Sequence, residues 1–78
     1  MRQVTRRYAS NLLGKGTNND FTLVAMTRRN SVIDNMTVGY YYYITIVANG
    51  PRTTQEAAGA TPLQAVERCL VKHGVTFR

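Results

Sequence analysis

Side chains that do chemistry are scarce in this sequence. Its 78 residues include four carboxylates, one histidine and one cysteine. The single cysteine, Cys69, rules out an intrachain disulfide and fits a reducing, cytoplasmic compartment. No apolar run approaches the roughly 20 residues that span a bilayer. The arginines near the start are followed by no apolar stretch of the kind a secretory signal carries. Neither a P-loop nor a dinucleotide-type glycine pattern occurs, and no cofactor is expected.

The few reactive groups do not assemble into a catalytic or metal set. Cys69 and His73 stand four residues apart, which on a helix brings them within touching distance. A Cys–His nucleophile also needs an accessible, electropositive pocket and a group that orients the histidine. Both residues lie on or beside an apolar stripe, so they read as packed scaffold. As a structural zinc site the pair is two ligands short, and only a symmetric dimer would complete it. Asp20, Asp34, Glu56 and Glu67 are too scattered to pair for acid–base work. The chain is therefore expected to be a non-enzymatic binding module.

Positive charge is what the sequence has in excess. The net charge is +6, and residues 1–29 hold Arg2, Arg6, Arg7, Lys15, Arg28 and Arg29 against Asp20 alone, a balance of +5. Such a gathering fits a surface meant for something negative, either an acidic protein face or nucleic acid. The hydrophobic fraction of 44% with 18% charged residues is that of a folded chain. Residues 1–78 read as one small domain. A domain of that size buries only about 60% of the surface its unfolded chain exposes, so a dimer or partner is a natural source of extra stability.

Periodicity gives the element order. Val4, Tyr8 and Leu12 recur at helical spacing, predicting a helix over residues 2–13 that Gly14 and Gly16 stop, with a strand as the alternative because no good N-cap precedes it. Residues 15–20 read as a loop, 21–27 as a strand and 28–35 as a connection with turn candidates at Asn30-Ser31 and Asp34-Asn35. Residues 37–48 form the clearest strand. Val38, Tyr40, Tyr42, Ile44, Ile46 and Ala48 share its core face, while Thr37, Gly39, Tyr41, Tyr43, Thr45 and Val47 share the other. Asn49-Gly50 predicts a two-residue hairpin turn into an edge strand over 52–58, with Ile46 opposite Thr53, Ile44 opposite Gln55 and Tyr42 opposite Ala57. Thr61, Pro62 and Gln64 form a capping box for a helix over 62–73, which Gly74 ends. That box occupies the free amides at the helix start, which disfavours an anion site there. Val75 and Phe77 are placed as a docked tail.

The expected fold is α+β: a three-stranded antiparallel sheet packed on one face by an N-terminal and a C-terminal helix, in the order α-β-β-β-α. The run Tyr40–Tyr43 then sends Tyr40 and Tyr42 towards the helices and Tyr41 and Tyr43 to the open face. Tyrosine and arginine are the side chains that anchor protein interfaces, and tyrosines on an open sheet also stack bases. The candidate partner-binding residues are Arg2, Arg6, Arg7, Arg28, Arg29, Tyr41, Tyr43 and Arg52.

The α-β-β-β-α order, with its final strand, small-residue turn and C-terminal helix, resembles a double-stranded-RNA-binding domain. That family contacts RNA through a lysine-rich start to its last helix. Here the stretch is Thr61-Pro62-Leu63-Gln64-Ala65-Val66-Glu67, with no lysine, so the resemblance implies the order of elements without the principal RNA contact. Residues Ala57-Ala58-Gly59-Ala60-Thr61-Pro62-Leu63-Gln64-Ala65 are also similar to the start of the C-terminal helix in small accessory proteins of tailed phages. This second resemblance implies a phage-encoded inhibitor or adaptor of a host protein. The function expected is docking on an acidic face of a host protein through a basic, tyrosine-bearing surface. The alternative is binding of RNA or single-stranded DNA by the open sheet face and the N-terminal arginines. A homodimer through the open face or the edge strand would cover those same residues.

Overall fold

The computed structural model describes residues 2–78. Two helices and a three-stranded antiparallel sheet give the α+β architecture. Its elements are β1 (Arg2–Val4), α1 (Arg6–Lys15), β2 (Phe21–Ile33), β3 (Met36–Ala48), β4 (Thr54–Gly59), α2 (Pro62–Lys72) and β5 (Val75–Phe77). The sheet order is β2-β3-β4, so β3 is central and β4 is an edge. Among the described residues no helix is long and apolar enough to cross a membrane.

The ends of the chain depart from the expected pattern. Residues 2–4 are not helical: they form a strand parallel to β5, with Arg2 opposite Val75 and Val4 opposite Phe77. Val4 is buried from that strand, while Tyr8 and Leu12 keep the helical stripe predicted for them. Helix α1 begins after Thr5, whose backbone is extended but whose side chain makes no cap bond. Gly16 ends it in the left-handed region at φ 80°, its amide donating to the Leu12 carbonyl at 2.7 Å. Gly14 lies inside the helix.

Helix α2 follows its capping box closely. The Gln64 amide donates to Thr61 Oγ1 at 3.1 Å, and the Gln64 side-chain oxygen accepts from the Ala60 amide at 2.7 Å. Its buried stripe, Ala65, Val66, Cys69 and Leu70, packs on the inner residues of β3. Leu12, Ile44, Ile46, Leu70, Val66 and Cys69 are the largest fully buried side chains. Each branched aliphatic among them contributes about 1.5–3 kcal/mol by leaving water.

The β3–β4 register differs from the expected one by two residues. Ile46 faces Gln55, Ile44 faces Ala57 and Tyr42 faces Gly59. A two-residue Asn49-Gly50 turn would place Pro51 opposite Ala48, and proline has no N–H to give to the ladder. Instead the Ala48 amide donates to the Thr53 carbonyl across a four-residue loop, and the left-handed residue is Arg52, at φ 55°. Asn49 serves as a brace: its Nδ2 donates to the Asn18 carbonyl and its Oδ1 accepts from Thr22 Oγ1. Because the slip is even, every β4 side chain keeps its predicted face.

The largest departure is the β2–β3 hairpin. Residues 28–33 belong to β2, and the connection shrinks to Asp34-Asn35, whose φ values of 51° and 63° are those of a two-residue hairpin turn. Both strands run for 13 residues. At about 3.3 Å per residue that is about 43 Å, matching the molecule's longest dimension of 42 Å. Helix α2, with 11 residues at about 1.5 Å each, covers only about 16 Å of it. The radius of gyration of 13.1 Å exceeds the ~11.5 Å expected for a compact chain of this length. The outer half of the hairpin stands clear as a two-stranded arm.

Candidate docking surface on the β2–β3 arm

Residues directly opposite in an antiparallel pair share a face. Arg28 is opposite Tyr42 and Arg29 is opposite Tyr41, so the two adjacent arginines point to opposite sides of the arm. Each settles on a tyrosine of its own face. The Arg28 guanidinium lies 4.7 Å from the Tyr40 ring centre, and that of Arg29 lies 4.4 Å from the Tyr43 ring centre. These cation–π stacks form a basic collar around the middle of the hairpin.

Beyond the collar the arm bares four large apolar side chains. Met36 is 68% exposed, Ile33 60% and Val38 58%, with Val32 similar. Tyr40, expected against the helices, is 56% exposed because the helices end before reaching it. Val38, expected in the core, is exposed for the same reason and falls where the register shifts between Ser31 and Val32. A second shift, between Leu23 and Ala25, leaves Val24 exposed. Among the described residues, all the exposed large hydrophobic side chains except Val71 lie on β2 or β3. Between Asp20 and Arg52 the only charged residues are Arg28, Arg29 and Asp34.

Tyr41 and Tyr43 stand on the open sheet face as expected, both partly buried. The Tyr43 hydroxyl donates to Glu56 of β4. That bond to a carboxylate is the main reason its ionisation is pushed above the usual phenol value, with loss of hydration second. Arg29, Tyr41 and Tyr43 are thus brought together on one face, and Arg28 is not among them. Arg52 sits at the β3–β4 loop, beyond the far end of β3 from the arm tip.

The N-terminal arginines lie at the base. Arg2 bridges to Asp20 and lies 5.1 Å from the Tyr8 ring centre. The Asp20 carboxyl is held below its ordinary value by hydrogen bonds from Tyr8 and from Arg2. Arg6 donates to both carboxylate oxygens of Glu67 at 2.9 Å and lies over the Phe77 ring. Arg7 is exposed on α1. The eight nominated residues therefore occupy three places: the base, the collar and the β3–β4 loop.

Cys69 and His73 are each engaged with the sheet. Cys69 is fully buried, its Sγ donating to the Gln55 carbonyl at 3.2 Å, and burial pushes its thiol up to about 11. The His73 Nε2 lies 2.8 Å from the Ile46 carbonyl, and its ring packs 5.1 Å from that of Phe21. No pocket opens among the described residues, and no three of their metal-ligating side chains cluster.

The arm was missed in the sequence although its signal was present. Val32-Ile33 and Met36-Thr37-Val38 flank a two-residue Asp-Asn, a pair of short runs rich in β-branched residues about a turn whose residues tolerate positive φ. Comparison with protein-family models, curated proteins and solved structures found no match to this chain.

Proposed function

We propose that this chain is a non-enzymatic binding module that docks on another protein through the β2–β3 arm. The supporting observation is the arm's composition, an apolar tip (Val32, Ile33, Met36, Val38) behind which Arg28 and Arg29 form a basic collar. Apolar side chains exposed together at this density mark interaction surfaces. The partner this shape fits has an apolar cleft for the tip and carboxylates at the cleft's rim for the arginines. The partner class we propose is a host protein, with the chain acting as inhibitor or adaptor, as the resemblance of residues 57–65 to small phage accessory proteins would imply. The one unbridged cysteine favours the cytoplasm as its place of action.

Nucleic acid is the competing reading, favoured by the Arg29–Tyr43 stack beside Tyr41 on the open face. The arm's net charge of +1, from two arginines and Asp34, weighs against it. Affinity capture from host lysate with the wild-type chain and with Ile33→Asp/Met36→Asp tests the docking reading. The expected result is one stoichiometric protein partner, lost with the arm variant and kept with Arg52→Ala. Retention of the partner by the arm variant overturns it. A gel shift whose affinity falls log-linearly with salt, at about −0.7 to −0.9 per phosphate neutralised, would support nucleic acid instead.

A further inference from the structure

A bare two-stranded hairpin is marginally stable in water and ordinarily needs a third strand or a helix against it. The outer half of this arm has neither, although it exposes Val32, Ile33, Met36 and Val38. We propose that in the isolated protein a second copy of the same chain supplies the cover. The two arms pack open face to open face and antiparallel, about a two-fold axis at the Ser31–Gly39 pair, with Asp34 of each chain beside Arg29 of the other. This inference rests on the arm being a docking surface and names what occupies it when no other partner is present.

Three features of the arm make it self-complementary. Ser31 and Gly39 are directly opposite each other and are the smallest pair on the outer arm, and a Cβ built on Gly39 would meet nothing. They allow two sheets to approach where the axis passes. A two-fold axis exchanges positions equidistant from it, and Ser31 lies midway between the Arg29–Tyr41 and Ile33–Met36 pairs. The exposed Ile33 and Met36 of one chain then cover Tyr41 and Arg29 of the other. Asp34, the turn residue next to Ile33, is then placed to meet the arginine, so the only carboxylate of the arm is matched to a cation of the other chain.

The rest of the molecule is compatible with that arrangement. Only the outer halves of the arms overlap, and the two bases stand at opposite ends. The helices lie on the other face of the sheet, and the surplus positive charge of the bases is kept apart. The overlap, about seven residues long at about 3.3 Å each and two strands wide, is smaller than the ~800 Å² per partner of a standard interface. The dimer is accordingly a weak one, populated by concentration and displaceable by a tighter partner.

Sedimentation equilibrium over micromolar to millimolar protein tests this, with wild type, Asp34→Arg, Arg29→Asp and an equal mixture of the two variants. Like charges brought together across the axis should weaken each variant homodimer roughly tenfold or more. The mixture should restore a heterodimer, since both facing pairs are again opposite in sign. Restoration on mixing also rules out a damaged Asp34-Asn35 turn as the cause of the loss. A wild-type monomer at every concentration overturns the proposal, as does a dimer that neither variant weakens or a mixture that stays monomeric. Loss of self-association alone leaves the docking reading standing if Ile33→Asp/Met36→Asp still loses its captured protein.

Discussion

Gly59 sits where β4 meets α2. A Cβ there would lie 2.5 Å from the backbone nitrogen of Ala65, a distance no side-chain rotation relieves. Gly59→Ala should therefore cost about 1–3 kcal/mol by forcing the strand end and the helix apart, read as a lower urea midpoint. Cys69 supplies a second residue-level test. Its buried thiol, pushed up to about 11, should resist thiol reagents at pH 8 in the native state and react at the rate of global opening. Among the tyrosines, alternation correctly divided the run between two faces. It could not say how far along β3 the core extends, because burial depends on what stands opposite, so Tyr40 was misplaced while Ile44 and Ile46 were not. Tyr42, partly buried against the core, should lose less on truncation to alanine than the ~3–5 kcal/mol of a fully buried aromatic.

At the scale of elements, α2 was legible because its signals are local. A capping box, a proline at the first turn and a glycine after the last turn fall within 14 residues and need no partner. The β3–β4 register was not, although Pro51 was visible, since the Asn-Gly turn and the missing proline amide give opposite instructions and hydrogen bonding decides between them. The arm follows from a mismatch of lengths. Helices of 10 and 11 residues cannot cover strands of 13, because a helix rises about 1.5 Å per residue and a strand about 3.3 Å. Ile33→Asp/Met36→Asp should therefore leave the thermal midpoint of the dilute protein nearly unchanged, within about 0.5 kcal/mol as for other surface changes. Loss of binding with retained stability distinguishes a docking element from a packed one.

For the whole molecule, the surplus of +6 proves to be distributed rather than massed. Arg2 and Arg6 are tied to Asp20 and Glu67 at the base, and Arg28 and Arg29 stack on tyrosines of opposite faces. Reading residues 28–35 as a connection hid this, because in a strand adjacent residues such as Arg28 and Arg29 turn to opposite faces. Two displaced ionisations bound the pH range of stability. Asp20 is held below its ordinary value, so its contribution is present above that value and is lost as pH falls through the folded one. Cys69 is raised, so the stability it reflects is complete below the ordinary thiol value of about 8.5 and is lost as pH rises towards about 11. Thermal melts should show a plateau between these limits, with Asp20→Asn flattening the acid side.

The parallel pairing of β1 with β5 also carries a consequence in time. Arg2 and Val75 are separated by almost the whole chain, so bringing them together costs loop-closure entropy that the Asp34-Asn35 hairpin avoids. The pairing has three residues on each side and should therefore form after the rest of the fold and open before it. In amide hydrogen exchange the β1 and β5 protons should be released by a local opening. Those of Ile44 and Ile46 should wait for global unfolding.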